Sequence, residues 1–332
     1  MSRRKIMINI MFAGNYKVYD GMLIASLSIL KHCKEPITAY ILTMDLTEKN
    51  PEFKPISSEN VARLDALYKE VNKDSCVKVI DVKDVFWAKL KDSPNNENFY
   101  TPYTLLRLLA EDIKEIPDKV LYMDTDVVAN GNIAELYNVD VEKYELAGVR
   151  DYYGKFFFYP RYLNAGVLLF NMKKIRETHM LTKAVDLLRR KKVFLSDQTA
   201  INKYTKKKLI LKSRFNEQKN LREDTVIRHF SMTLKFFPKF KKQNIKPWHV
   251  DQVHDILGIH QFDDILDRWQ EIIAEDKKAS EAKSKKSTEV KGKASKSTKS
   301  TNAKGKSKST KTASKTGKVE PNKNANKKKE VK

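Results

Sequence analysis

The sequence predicts an α/β fold built on a mostly parallel sheet, and three observations carry that expectation. Short apolar runs alternate with segments of helical period through the first half of the chain, the pattern of βαβ units. The 332 residues, 41% of them hydrophobic, suffice for a sizeable core. No stretch comes near the ~20 consecutive apolar residues of a membrane-spanning helix.

The elements follow in order. IMINIMFA (residues 6–13) reads as the first strand; its basic start mimics a secretion signal, but the apolar run is short and leads straight into polar GNYK. Residues 20–32, with Leu23, Leu27 and Leu30 on one face, read as a helix. ITAYIL (37–42) is a strand, SENVARLDALYKEV (58–71) a helix opened by serines, and CVKVIDV (76–82) a strand before the short helical piece VFWAKL. Thr101 and Pro102 supply a cap and a first-turn proline for a helix through Leu105, Leu106, Leu109 and Ile113. KVLYMDTDVVANGN (119–132) then begins as a buried strand. ELAGVRDYY and YLNAGVLLFNM read as strands around an irregular aromatic loop, GKFFFYPR. A helix over about residues 172–192, the segment SDQTAINKY, strands in KLILK and VIRHFS, and a last helix over residues 263–274 complete the pattern.

The net charge of +23 is unevenly placed. Residues 277–332 hold 20 lysines, 4 glutamates and no aromatic residue, which leaves only +7 on the preceding 276 residues. A segment of that composition cannot bury enough surface to offset its ordering entropy and is expected to be disordered. Its charge suits adhesion to anionic lipid or nucleic acid, and a purely solubilising extension is the plain alternative. Cys33 and Cys76 lie in apolar surroundings without metal-ligand spacing, so they read as reduced thiols of a cytoplasmic protein. Neither GxGxxG nor GxxxxGK[ST] follows any strand, which disfavours a dinucleotide-binding or P-loop function.

The chemistry concentrates at Asp124 and Asp126. Side chains at i and i+2 of an extended chain point the same way, so the two carboxylates share one side, with Thr125 facing away. Open α/β sheets bind ligands beyond the carboxyl ends of their strands, where this pair falls. Two hard oxygen donors there suit Mg²⁺ or Mn²⁺, which neutralises a diphosphate. The pair alone fits two other readings. One is a turn that ends a strand; the other is a haloacid-dehalogenase-like phosphatase, whose D-x-D-x-[TV] the letters LYMDTDVV match.

A longer series separates these. FAGNY (12–16), YTLLRLL (103–109), VLYMDTDVV (120–128), YLNAGVLLFNMKK (162–174), SDQTAIN (196–202) and HFSMTLK (229–235) occur in an order that resembles glycosyltransferase family 8. These are retaining sugar transferases that include bacterial lipooligosaccharide galactosyltransferases and glycogenin, and the resemblance runs from about residue 6 to 248. It implies a GT-A type nucleotide-diphospho-sugar transferase fold with a Rossmann-like sheet over residues 1–250, a helical segment over 251–276 and the basic tail over 277–332. A phosphatase would carry its aspartate pair on the first strand, whereas this pair falls a third of the way along.

The resemblance also implies roles. Asp124, Asp126 and His229 hold the metal, Mn²⁺ with Mg²⁺ as the alternative ion, and Thr125 lies in the same donor-binding segment. Ala13, Gly14, Asn15 and Tyr16 form the nucleotide-binding turn with Tyr16 stacked on uracil, although this loop is short and lacks an aspartate to read the base. Arg107 contacts the donor, with an ion pair to Glu111 as its plain alternative. Asp151, Asn164, Ala165, Gly166, Asp197 and Gln198 make the donor-sugar shell, and Gln198 with Asp197 is the catalytic pair. Lys235, six residues after His229, binds phosphate; Met232 replaces the family's glycine between them, and Lys246 before Pro247 and Trp248 is a second placement. The activity implied is transfer of glucose or galactose from a UDP-sugar to a hydroxyl of a glycan or lipid-linked acceptor, for the bacterial cell surface. The enzyme would meet the inner face of the membrane through its tail. A nucleic-acid or anionic-surface binder working through the tail is the rival function.

Overall fold

The computed structural model describes residues 6–96, 101–235, 237 and 239–297. Strands β1 (Ile8–Ala13), β2 (Ile37–Thr43) and β3 (Cys76–Asp81) alternate with helices α1 (Tyr19–His32), α2 (Ser58–Val71) and α3 (Lys83–Leu90). The three strands pair in parallel, β1 with β2 from Ile8 opposite Ile37 to Ala13 opposite Leu42. β4 (Lys119–Met123) adds to the other side of β1, again in parallel. Every residue of β2 is buried, which is why ITAYILT is apolar without alternation.

The second half brings β5 (Val127–Ala129), α4 (Ala134–Tyr137), β6 (Leu146–Arg150), α5 (Gly154–Phe157) and β7 (Leu163–Asn171). α6 (Met172–Thr178), α7 (Met180–Arg190), α8 (Ser196–Tyr204), β8 (Lys208–Leu211) and β9 (Ile227–His229) follow. The chain continues through β10 (Thr233–Lys235), β11 (Lys241–Gln243), α9 (Val250–Asp255) and α10 (Asp263–Ser297). The main sheet runs β3-β2-β1-β4-β7-β6-β8. Only β7 runs against its neighbours, so the expected mostly parallel sheet is found. Period-two alternation splits the core into two layers: Val120 and Tyr122 of β4 face one, Leu121 and Met123 the other. No helix among the described residues is long and apolar enough to cross a membrane.

Several elements differ from expectation. The helix expected from Pro102 is a 3₁₀ stretch, Pro102–Asp112. The helix over 172–192 breaks at His179, whose left-handed backbone (φ 53°) ends α6 and starts α7. GKFFFYPR holds a short helix, α5, because Asp151 accepts the amides of Tyr153 and Gly154 ahead of it. α10 continues to Ser297, past the expected end at 274 and into the stretch expected to lack structure. A shortage of apolar residues argues against burial but not against helix, and this stretch is rich in alanine, lysine and glutamate, all good helix formers. Residues 298–332 of the expected disordered tail lie outside the described residues. Cys33 and Cys76 are both free thiols; Cys33 is buried and burial pushes it up to about 12.

One buried cation predicts a pH effect. Lys208 is 8% exposed, with Nζ on Tyr159 Oη (2.9 Å) and Asn202 Oδ1 (3.2 Å), and burial, helped by Arg161, pulls it down to about 8. Between about pH 8 and the ordinary value of 10.5 the unfolded chain carries a proton that the folded chain lacks. Folding stability from this group therefore rises with pH across that window, by up to about 1.4 kcal/mol per pH unit. Urea denaturation at pH 8 and pH 10 should show the parent gaining on Lys208→Met.

Candidate active site

β4 delivers Asp124 to the sheet's carboxyl edge, where its amide bonds the carbonyl of Gly166 in β7 at 2.7 Å. Continuing the alternation of β4, Asp124 lies on the same side as Tyr122, and the Tyr122 hydroxyl donates to Asp124 Oδ1 at 2.6 Å. Arg107 completes this corner. Its guanidinium meets Asp124 Oδ1 (2.9 Å), Asp197 Oδ2 (3.2 Å) and the Ala165 carbonyl (2.8 Å), and stacks 4.3 Å from the centre of the Tyr122 ring. Burial alone would lower Arg107, but Asp124, Tyr122 and Asp197 outweigh it, so the guanidinium stays charged. The surface pair of Arg107 with Glu111 is not formed; Glu111 instead accepts from Thr182.

Asp126 is placed by a different pairing. β5 runs antiparallel to β9 with Val127 opposite His229, and the Phe230 amide bonds the Asp126 carbonyl at 2.9 Å. Residues about a hundred positions apart thus become neighbours. Lys246 Nζ reaches Asp126 Oδ2 at 2.5 Å. Burial pushes Asp126 up, but the charge of Lys246 outweighs it and holds the carboxyl below the usual range. Asp197 goes the other way, raised by burial that Arg107 does not fully offset.

The residues present fit a divalent cation. Asp126 Oδ1 is fully buried without a hydrogen bond, 3.2 Å from His229 Nε2, and ligand atoms of Asp124, Asp126 and His229 all lie within 4.8 Å of one another. An orphaned buried carboxylate oxygen is costly unless a cation meets it. Gly166 keeps the space open: a Cβ there would fall 2.2 Å from His229 Cε1 and 2.9 Å from Asp124 Oδ2.

The imidazole is oriented for the same purpose. Asp151 Oδ2 accepts from Asn164 Nδ2 (2.9 Å), Asn164 Oδ1 accepts from Asn216 Nδ2 (3.0 Å), and Asn216 Oδ1 lies 3.0 Å from His229 Nδ1. A carboxylate only accepts, and the Gly166 amide also donates to Asn164 Oδ1 (3.0 Å), so both amides have one consistent orientation. Asn216 then presents an acceptor to Nδ1, which must carry the proton. In the neutral ring this leaves Nε2 as a lone pair on the side of Asp126 Oδ1, the arrangement expected of a metal-ligating histidine.

These groups line a cleft of about 390 Å³ with Ala13, Gly14, Thr125, Asn164, Ala165 and Gln198. Gln198 accepts from the Ala165 amide (3.0 Å) and donates to Asp151 (3.3 Å). Other expected residues sit beside it. Asn15 is buried and caps the turn after β1 by accepting from the Lys17 amide, while the Tyr16 hydroxyl bonds Glu52 at 2.6 Å. Asp151 lines an adjoining cavity. Lys235 ends β10, and its side chain lies outside the described residues. The second placement, Lys246, is the lysine found on Asp126, because the hairpin β10–β11 folds away the chain between His229 and Lys246.

Sequence reasoning missed Asn216, Tyr122 and Leu195. Asn216 has no motif around it, and Tyr122 passes for a core strand residue. Leu195 lines the cleft from a left-handed backbone (φ 51°) just before α8, a strained conformation for a branched side chain. Trp248 also lines the cleft, and its adjacency to Lys246 and Pro247 was the available signal. The aspartate pair follows the fourth strand, β4, rather than the first, so the phosphatase alternative finds no support.

Comparison with known proteins agrees. The family model described as Glycosyl transferase family 8 matches residues 7–252. A putative glycosyltransferase of Haemophilus influenzae is 27% identical over 258 residues, 70% of this chain and 73% of that protein. The lipopolysaccharide 1,3-galactosyltransferase of Salmonella typhimurium is 27% identical over 214 residues, 58% of this chain and 61% of that protein. The solved structure of the galactosyltransferase LgtC, in complex with donor and acceptor sugar analogs, matches with a TM-score of 0.57 at 21% identity. That match covers 79% of this chain and 96% of LgtC, and the shared fold is of the GT-A type. Since the family model spans most of the sequence, the chain belongs to glycosyl transferase family 8.

Proposed function

We propose that this protein is a metal-dependent retaining hexosyltransferase that moves glucose or galactose from a UDP-sugar to a hydroxyl of a bacterial cell-surface glycan. The observation that carries this reading is the orphaned Asp126 Oδ1 facing the His229 Nε2 lone pair, with Lys246 and Arg107 beside it. Two carboxylates and an imidazole suit Mn²⁺, which tolerates nitrogen better than Mg²⁺ does. Bound there, the ion would neutralise the diphosphate and assist its departure. Lys246 would exchange Asp126 for a phosphate oxygen as charge builds on the leaving group. Arg107, buried and fixed by Asp124 and Asp197, would hold the donor in place rather than carry protons. Gln198 is held at both ends of its amide, so it would act as a fixed dipole toward the developing oxocarbenium rather than as a nucleophile. The departing phosphate would take the proton of the acceptor hydroxyl from the same face, giving retention.

A second cavity of about 510 Å³ supports the acceptor assignment. It shares Asn164, Leu195, Gln198, Ser231 and Met232 with the cleft and is walled by aromatic rings, among them Tyr152, Tyr153 and Phe158. The two spaces meet at Gln198, where donor sugar and acceptor would have to meet, and aromatic faces suit pyranose rings. The names of the Salmonella relative and of the LgtC complex favour a galactosyl donor and a glycan acceptor. A cytoplasmic enzyme with the basic tail held against the inner leaflet fits this role.

Incubation with Mn²⁺ and a panel of UDP-hexoses should release UDP, and chelation should stop it. A folded protein that releases no UDP from any of them would overturn the reading. Lys246→Ala should lower that release by about a hundredfold, on the scale of one lost charge-stabilising group. Lys235→Ala should change it less than threefold by the same measure.

A further inference from the structure

We propose that the mouth of the aromatic cavity is a docking face for an anionic lipid surface. This deepens the proposed function and rests on its assignment of the acceptor cavity. Three separate segments reach the mouth, through residues 152–154 and 157–158, 194–195, and 233–234. Phe157, Phe158, Phe194 and Leu234, one or more from each segment, line the same cavity. The Tyr153 hydroxyl bonds both the amide and the carbonyl of Leu234, at 2.7 and 3.1 Å, and joins the first segment to the third. The Phe158 and Phe194 rings, 6.4 Å apart, join the first to the second.

Two features of these segments are unusual. Phe156, Phe157, Phe194 and Phe237 are 73%, 66%, 77% and 88% exposed, whereas large apolar side chains grouped in the open mark a contact surface. Lys155, Lys191, Lys192, Lys239, Lys241 and Lys242 lie in or close to these segments in the sequence and form no ion pair with an acidic side chain among the described residues, whereas Arg189 pairs with Asp186 and Lys246 with Asp126. Phenylalanine interleaved with exposed lysines is the composition of surfaces that insert rings among lipid headgroups while lysines meet anionic phosphates.

A sugar in the cavity does not account for the outermost rings, since Phe156 and Phe237 are not among its lining residues. A second copy of this chain would set one predominantly basic face against another, which charge opposes. An anionic bilayer complements both the rings and the charge. Docked this way, the cavity would open onto the surface that carries a lipid-linked acceptor.

The test uses the full chain, so that the basic tail is the same in every sample. Cosedimentation is measured with vesicles of equal parts phosphatidylglycerol and phosphatidylcholine, and with phosphatidylcholine alone. The parent should bind the anionic vesicles, and Phe156→Ser/Phe237→Ser should lose about tenfold or more of that partitioning. Tryptophan emission of Phe237→Trp, corrected for the parent, should shift to the blue only with the anionic vesicles. Equal binding by parent and double variant would mean that the tail alone holds the membrane and would overturn the proposal. So would an unshifted emission, or vesicle-free dimerisation that the double substitution removes. UDP release in vesicle-free solution tests the transferase reading separately and should be the same in parent and double variant.

Discussion

Asp126→Ala is expected to lower UDP release by at least about a thousandfold while leaving the fold intact. The carboxylate has two occupied or waiting sides: Oδ2 on Lys246, Oδ1 buried beside His229 without a hydrogen bond. Its removal would take away one of the three proposed ligands and the counter-charge that positions Lys246, a loss of several kcal/mol of transition-state stabilisation. The backbone bond from the Phe230 amide to the residue 126 carbonyl survives in the variant, so β5 and β9 should stay paired. Lys246 keeps the Phe230 carbonyl (3.1 Å) and is 18% exposed, so it can turn to water rather than remain buried and unpaired. The melting temperature should therefore move by only a few degrees. The decisive control is chelation. In the parent it should reproduce the loss; in the variant it should add nothing, because both perturbations remove the same interaction. A variant that still responds to chelator would place the ion elsewhere.

How much of this site could be read from the chain varies residue by residue, for physical reasons. The parallel half of the sheet was legible because β1, β2 and β4 are continuous apolar runs bounded by turn signals, a pattern set by burial on both faces. α2 was legible to the residue, since Ser57 caps it by accepting the Asn60 amide. The stretch from Pro102 looked equally helical but tightened to 3₁₀, because apolar spacing does not separate i+3 from i+4 hydrogen bonding. Asp124 and Asp126 stood out as charges ending an apolar strand. Their partner His229 was named only through the resemblance, because its position follows from the pairing of Val127 with His229, a register between two three-residue strands that no local pattern encodes. Lys246, the second placement, meets Asp126 through a hairpin between His229 and Lys246 that spacing in sequence does not show. Asn216 carried no signal: a lone asparagine after a short turn is an ordinary turn residue until the fold sets it against an imidazole.

Asn216→Leu is expected to weaken Mn²⁺ binding by about ten- to a hundredfold without touching a ligand, the usual scale for the partner that orients a metal-bound histidine. Asn216 is fully buried, with Nδ2 committed to Asn164 Oδ1 and only Oδ1 left for His229 Nδ1. Leucine is close in size but accepts nothing. With no acceptor at Nδ1, the imidazole proton is better placed on Nε2, where it can donate to Asp126 Oδ1 across 3.2 Å. That bond satisfies the orphaned oxygen and closes the position the cation would take. The variant should consequently fold, and should show the switch directly. Imidazole ¹⁵N shifts of the metal-free protein should report Nδ1–H for His229 in the parent and Nε2–H in Asn216→Leu. Asn216→Asp keeps an acceptor at Nδ1 and should recover most of the Mn²⁺ affinity, although it gives up the donation to Asn164. A merely structural role for Asn216 predicts otherwise: both variants would lose stability together, and the tautomer would not move. An Nε2–H imidazole in the metal-free parent would remove the basis of this account, because the amide chain from Asp151 through Asn164 to Asn216 would then not be setting the lone pair that faces Asp126.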